Sequence, residues 1–388
     1  MQTYRALKTN LDVDVAIVGG GMTGATTAAV FSHAGLRVAV MEAGLIGMGS
    51  TVASTALLLR EPDQGLTELG RRYGSRRARR IWELSGAATR DFTAMIRRLH
   101  IRCDISATDS VYYTLDERKA PALRTELEGR CRAGFEGEWL GPDSLERLTG
   151  IRAEGAIRSR RNAQFNPYEA CRGLMLAATR AGAHVYERTR VRRIDRRNGV
   201  ASIVTARGSV RAAHVVIATG YAAPAFQPPV GRFRLHRTYV MATEPISRRV
   251  RKEVGLHDVM LWDTEKPYHY VRWTPDHRLL LGGADRPDSA HERRPAAFAR
   301  ATRDLHEYFL RLFPALSGIR IEHAWDGLFA TTADGLPYIG GHTRFPGRLF
   351  ALGYGGNGMT FGFLAAQMLL EQCRGVESAD HALFAFRR

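Results

Sequence analysis

The apolar pattern changes period early in the chain, and in an order that has a use. Val13-Asp14-Val15-Ala16-Ile17-Val18 is an apolar run of strand length, followed by Gly19-Gly20-Gly21-Met22-Thr23-Gly24. Small and apolar residues then continue in a helical stretch to a turn at Gly35, and Arg37-Val38-Ala39-Val40-Met41 forms a second strand closed by Glu42. The order predicts a single βαβ nucleotide-binding unit. Gly19 suits the tight turn out of the strand, Gly21 lets the backbone approach a pyrophosphate, and Gly24 lets the helix lie close against the strand. The first helical turn, with Met22 and Thr23, offers free N–H groups to phosphates. Glu42 stands where a carboxylate accepts hydrogen bonds from a ribose diol and would repel a 2′-phosphate, so FAD or NAD fits and NADP does not.

Further on, Gly47-Met48-Gly49-Ser50-Thr51-Val52-Ala53-Ser54-Thr55 is a small, hydroxyl-rich loop suited to lying along a phosphate or a ring face. Residues 65–150 read as helical and charged. Asn166-Pro167-Tyr168-Glu169 has the capping residue, first-turn proline and early acid of a helix start, with the helix ending before Gly182. A short strand over 183–187 and a polar meander over 190–206 follow. Residues 210–219 read as a buried parallel strand that runs into Gly220 and returns to the nucleotide-binding sheet. From about 231 the character changes. Alternating segments at 236–241 and 268–273 predict an antiparallel sheet. One face of the second would present Tyr268, Tyr270 and Arg272, while His269 and Val271 point the other way. That face is either a substrate platform or a half-exposed layer of packing aromatics. Near the end, residues 348–352 form a strand and Gly355-Gly356-Asn357-Gly358-Met359-Thr360 opens a helix to about Gln372. The positive end of that helix suits the negative charge of a reduced flavin ring.

These elements predict an α/β protein. A Rossmann-like FAD-binding domain (1–60, 150–230 and 325–388) is interwoven with a substrate domain built on a mainly antiparallel sheet (61–149 and 231–324). The length of 388 residues agrees with two domains. Residues 1–10 are polar and the apolar stretch 359–370 is far short of a membrane span, so a soluble, cytoplasmic protein is expected. Four separated cysteines with no C-x-x-C pair indicate neither a zinc site nor a disulfide framework, leaving buried free thiols as the expectation and no metal. The net charge of +17 raises a nucleic-acid reading. However, the basic residues are almost all arginine and spread along the whole length. The densest cluster, from Arg71 to Arg80, leads into a helix with the apolar stripe Ile81, Leu84, Ala88, Met95 and Leu99, which makes it a solvated face.

Taken together, Gly19 to Gly24, Glu42, Gly49-Ser50-Thr51, Val191, Ala218-Thr219-Gly220, Asp334-Gly335-Leu336-Pro337-Tyr338-Ile339-Gly340 and Gly355 to Thr360 resemble the FAD-dependent amino acid oxidase superfamily, over nearly the full length. The resemblance implies the glutathione reductase 2-like FAD fold. Gly19, Gly21, Gly24 and Glu42 would then hold the adenosine and pyrophosphate half. Ser50, Thr51 and Ser54 would approach the pyrophosphate and isoalloxazine, Val191 would use its backbone on adenine, and Gly355 to Thr360 would line the pyrimidine edge. Two departures narrow the substrate. Members often grip a substrate carboxylate with arginine in a G-L-R-P stretch, whereas this chain has Gly327-Leu328-Phe329-Ala330, and phenylalanine lacks the guanidinium fork. Either Arg272 takes the role or the substrate is an amine without an α-carboxylate. Members with covalent flavin place a cysteine near this segment and none is there, so the FAD is expected to be noncovalent. Val52 and Ala53 replace a glycine and an arginine of the family's flavin loop.

The resemblance implies hydride transfer from the carbon bearing an amine to flavin N5, an imine that hydrolyses, and reoxidation by oxygen or a quinone. Candidate catalytic residues are Tyr268, His269, Tyr270 and Arg272, with Lys266 read as a loop lysine. Two alternatives stand beside a small-amine or amino acid oxidoreductase: a flavoenzyme acting on modified tRNA, and a flavin-binding subunit that needs a partner for turnover.

Overall fold

The computed structural model describes residues 3–220, 233–288 and 294–388. Two sheets organise them. The first runs Tyr338–His342, Phe345–Leu352, Ser209–Gly220, Leu11–Val18, Val38–Met41, His184–Tyr186 across its width. Every pairing from Phe345–Leu352 to His184–Tyr186 is parallel. A strand buried on both faces needs an unbroken apolar run, which is why Leu11–Val18 and the end of Ser209–Gly220 do not alternate. Helices Met22–His33, Pro167–Arg180 and Gly358–Cys373 share one apolar core with Val15, Ile17, Val38 and Val40 of this sheet. Asn166 caps the second of them, its side-chain oxygen accepting from the N–H groups of Tyr168 and Glu169. The expected meander over 190–206 is a hairpin, Arg193–Arg197 with Val200–Val204, which extends from Ser209–Gly220.

The second sheet runs Ile321–Thr332, Phe233–Thr243, Leu279–Pro287, Tyr270–Trp273, Met260–Asp263, Ser106–Thr114, Gly155–Gln164, Leu57–Leu58, with Glu138–Leu140 also paired to Gly155–Gln164. All pairings are antiparallel except Met260–Asp263 with Ser106–Thr114. Helix Arg294–Leu312 packs on one face, burying Tyr239, Met241, Val271, Leu281 and Phe309 in a separate core. The other face carries Arg272, whose guanidinium reaches the Thr55 and Phe165 carbonyls.

Several expectations need correcting. The stretch 65–150 is not helical throughout, since Ser106–Thr114 and Glu138–Leu140 are strands. The longer one escapes a periodicity reading because its buried positions include polar ones: Ser110 and Thr108 are buried as well as Val111 and Tyr113, and Asn162 Nδ2 donates to Ser110 Oγ at 2.8 Å. The boundaries at 60, 150 and 325 do not follow sheet membership, for Leu57–Leu58, Gly155–Gln164 and the whole of Ile321–Thr332 belong to the second sheet. Cys131 is exposed rather than buried. The arginines between 71 and 80 are exposed, while Ala78, Ile81, Ala88 and Met95 of helix Ser75–Arg98 face the core. No helix among the described residues is long and apolar enough to cross a membrane.

Candidate functional site

The site begins at the turn that the glycines dictate. Gly19 has φ +109°, and a Cβ there would stand 2.5 Å from the Ala218 carbonyl oxygen. A Cβ on Gly24 would run into the Gly19 carbonyl, reaching its carbon at 3.0 Å. Both positions therefore exclude a side chain. Helix Met22–His33 starts at Gly21 without a cap from that residue, and the Met22 N–H is taken by Thr51 Oγ1 at 2.9 Å. Glu42 closes the second strand as expected. Its carboxylate accepts from Gly20 N and Gly44 N, both at 2.7 Å, which fixes its orientation beside the turn. Thr189 N donates to the Glu42 carbonyl at 2.8 Å, which brings Val191 near this end, its side chain packed in one core with Val18 and Met41. Among the described residues, Cβ atoms at Gly49 or Gly220 would meet nothing within 4 Å.

One strap of chain leads from this helix to the second glycine loop. It leaves Thr51 at Met22, passes Ser54, whose Oγ accepts from Ala56 N, and reaches residues 59–63. There Thr360 Oγ1 donates to the Leu59 carbonyl at 2.8 Å, Asn357 Nδ2 to the Glu61 carbonyl at 2.6 Å, and Gly356 N to Asp63 Oδ2 at 2.6 Å. Helix Gly358–Cys373 begins there, again uncapped by its own N-cap residue, Asn357, with Met359 and Thr360 buried and Gly355 at φ +62°. The two helices pack side by side, with Thr23 against Gly362, so the N-termini that begin at Gly21 and Asn357 lie on neighbouring helices. This arrangement suits an extended dinucleotide: two helix N-termini for anionic groups, glycine backbones that admit close approach, and a carboxylate at one end.

The second sheet supplies the opposite wall. Residues expected as a loop form a short helix, Ser50–Ala53, and Ser50 Oγ donates to the Leu328 carbonyl at 2.7 Å and Trp325 Nε1 to the Ala53 carbonyl at 3.0 Å, which pins that turn against strand Ile321–Thr332. Gly327 lacks a side chain where Ala53 approaches, since a Cβ would lie 2.8 Å from the Ala53 methyl. Phe329 packs on His236 with ring centroids 5.6 Å apart. The expected alternation around 268–273 holds, although the strand itself covers only Tyr270–Trp273. Tyr268 and Tyr270 lie together, centroids 5.9 Å apart, and Tyr270 covers Gly282, its register partner. A Cβ on Gly356 would collide with the Tyr268 hydroxyl, which brings that phenol to the second glycine loop. Burial raises both phenols above the usual range, so their protons stay in place at neutral pH.

Two expected site residues have partners of their own. Arg272 is buried and its guanidinium donates to the carbonyls of Thr55, Trp273 and Phe165, with burial lowering its pKa to about 10. The fork is spent on backbone and is not presented to a ligand. His269 stacks on Tyr308 at 3.7 Å with its Nδ1 2.9 Å from Asp263 Oδ2. Tyr308 donates to the same carboxylate oxygen at 2.5 Å and lies 2.9 Å from the Tyr113 hydroxyl. This network anchors the chain just before Tyr268.

Sequence reading missed Asp63, Thr238 and Asp285. Thr238 Oγ1 lies 3.0 Å from the Tyr270 hydroxyl and beside the Asp285 carboxyl. Burial raises Asp63 and Asp285 to about 6, helped for Asp63 by the charge of Asp285. No spacing rule joins residues 63, 238 and 285. Only the sheet register and the strap bring them together.

The model of the DAO family, described as FAD dependent oxidoreductase, matches residues 14–372. Gamma-glutamylputrescine oxidoreductase of Escherichia coli (strain K12) is 26% identical over 382 residues, covering 96% of this chain and 86% of the relative. Glycine oxidase of Bacillus licheniformis is 25% identical over 382 residues, covering 96% of each. Among solved structures, glycine oxidase from Geobacillus kaustophilus superposes with a TM-score of 0.82 at 23% identity, over 97% of this chain and 99% of that one.

Proposed function

Because the chain belongs to the DAO family of FAD-dependent oxidoreductases, we propose that it oxidises the C–N bond of a small amine, giving an imine that water hydrolyses. The observation that carries this reading is the single strap from Thr51 to Asp63, which ties both helix N-termini to the wall holding Tyr268 and Tyr270. Gly21 and Thr23 would hold the diphosphate through backbone N–H groups, Gly19 and Gly24 would let the turn and helix come close to it, Met22 would fix the turn through its N–H to Thr51, and Glu42 would take the ribose. Val191 and Gly220 serve the adenosine side. Gly49, Ser50, Thr51 and Ser54 line the middle, and Gly355, Gly356, Asn357, Gly358, Met359 and Thr360 the ring end. The FAD is noncovalent. The chemistry it supplies when bound is acceptance of a hydride and later transfer of the electrons to oxygen or a quinone.

The protein's own contribution is orientation and exclusion of water. Tyr268 and Tyr270 stay protonated and give a half-buried wall of two tilted rings against which the substrate carbon is positioned. Arg272 and His269 act through others, the first by holding the Thr55 and Phe165 carbonyls and the second by ordering the turn before Tyr268. The absence of a guanidinium at Phe329, and the engagement of the Arg272 fork with backbone, favour an amine without an α-carboxylate. The test is anaerobic addition of sarcosine, D-amino acids, polyamines and opines to the purified flavoprotein. Bleaching of the flavin by an amine supports the reading, and a flavin that none of them reduces refutes it.

A further inference from the structure

Resting on the amine-oxidation reading, a further inference concerns two carboxyls in the same wall that the reading leaves without a task. Asp63 closes the strap, with Oδ2 accepting from Gly356 N. Asp285 lies on strand Leu279–Pro287 near Thr238, and its Oδ1 is buried with no hydrogen-bond partner among the described residues. Among the described residues neither carboxyl forms an ion pair with an arginine or lysine, in a chain with 56 such residues. A buried carboxylate oxygen without a donor loses its hydration and gains nothing in return, unless a ligand supplies the donor. Beside the pair stand the rings of Tyr268 and Tyr270, whose faces attract cations. The titratable and charged groups that face the carboxyls are each other, Tyr268, Tyr270 and His269.

We propose that the substrate enters as an alkylammonium without an α-carboxylate, its nitrogen held between Asp63 and Asp285, and that Asp285 Oδ1 accepts its proton. In that step one N–H bond breaks and one O–H bond forms. The electron pair of the N–H bond stays on nitrogen, the carboxylate becomes a neutral carboxylic acid, and no oxidant is consumed. Amine oxidation needs this step, because nitrogen must have a free pair before the neighbouring carbon can give up hydride. Both carboxyls are raised to about 6, which makes them better proton acceptors than ordinary carboxylates. A substrate α-carboxylate would put a third negative charge against two carboxyls, at a site where Phe329 offers no countercharge. Arg237 is engaged by Asp288 and Asp326, and Arg272 by carbonyls. Arg234 remains exposed two residues from His236, and the test includes it.

The test uses the FAD-loaded protein and two probes that cannot be oxidised because the carbon bearing nitrogen has no hydrogen: tert-butylammonium, and 2-aminoisobutyrate, which adds an α-carboxylate. Binding is read from the perturbed flavin absorbance. Calorimetry in two buffers of different ionisation enthalpy counts the protons exchanged. The expected results are tighter binding of tert-butylammonium than of 2-aminoisobutyrate, no net proton release to the buffer on binding well above pH 6 because the proton stays in the complex, and a loss of about tenfold or more in tert-butylammonium affinity in Asp285→Asn at unchanged FAD content. The proposal is overturned if 2-aminoisobutyrate binds more tightly, as it would if Arg234 gripped the carboxylate, or if Asp285→Asn binds tert-butylammonium as the wild type does. The comparison of probes needs only wild-type protein, so it decides the matter even where the variant does not fold. Flavin bleaching by oxidisable amines is read separately. Asp285-dependent binding without bleaching would reject the function reading alone, and bleaching without Asp285-dependent binding would reject this inference alone.

Discussion

Substituting Gly24 by alanine should weaken the fold and FAD binding together. The new methyl would press on the Gly19 carbonyl, standing 3.0 Å from its carbon and closer to its oxygen, with Ile17 Cγ2 behind at 3.7 Å. Overpacking against side chains costs about 1–3 kcal/mol, because the neighbours can change rotamer. Here the opposing group is backbone in the turn itself, so the upper end, about 3 kcal/mol, is the better figure. With an unfolding entropy of about 2.1 cal/mol/K per residue, that corresponds to a Tm lowered by about 4 °C for a chain of this size. The same displacement moves the N–H groups of the first helical turn away from a diphosphate. Added FAD should therefore raise the Tm of wild type much more than that of Gly24→Ala. Gly70→Ala is the control: Gly70 is in helix Leu66–Tyr73 with nothing within 4 Å of its added Cβ, so it should gain about 0.5–1 kcal/mol. Thermal melts with and without FAD make the comparison. A Gly24→Ala protein that keeps both wild-type Tm and the wild-type response to FAD would refute the packing argument.

Other outcomes follow from buried charges. Arg388 is nearly buried, donates to both Asp334 oxygens at 2.6 and 2.8 Å, and stacks on Tyr338 at 4.2 Å, so Arg388→Ala should cost about 3 kcal/mol or more in a denaturant melt. That pairing also holds Asp334 well below the usual carboxylate range despite its burial. Its stability contribution is present above the unfolded value of about 4 and is lost as pH falls toward the lower folded value, so Asp334→Asn should flatten the acid limb of the stability curve. Asp63 and Asp285 have the opposite sign. Raised to about 6, they contribute stability that is fully present below about 4 and is lost as pH rises through about 6, and Asp285→Asn should reduce that decline. Arg272→Lys should lower stability by about 2 kcal/mol or more, since carbonyls of Thr55, Trp273 and Phe165 lose donors, with little change in KM for the amine.

The parts legible in the sequence were those governed by a local rule. Gly19, Gly24 and Glu42 could be read because a tight turn, a close helix and an acid-tipped strand each demand a residue type at a fixed spacing. The Asn166 cap and the return of Ser209–Gly220 to the parallel sheet were legible for the same reason. Ser106–Thr114 was not, because its buried positions include Ser110 and Thr108, the first satisfied by Asn162, distant in sequence, and the second by Ser106 two residues before it. In the site, the alternation of Tyr268 and Tyr270 against His269 followed from the strand period. What Arg272 and His269 touch did not, since their partners come from residues 55, 165 and 308. Asp63 and Asp285 are separated by more than two hundred residues and meet only through tertiary structure.

The decisive measurement is a crystal structure with FAD bound. It should show one dinucleotide with its diphosphate at the N–H groups of Gly21 and Thr23 and its ring against Gly355 to Thr360 and Tyr268. FAD that reaches only one of these two loops, or neither, would contradict that placement.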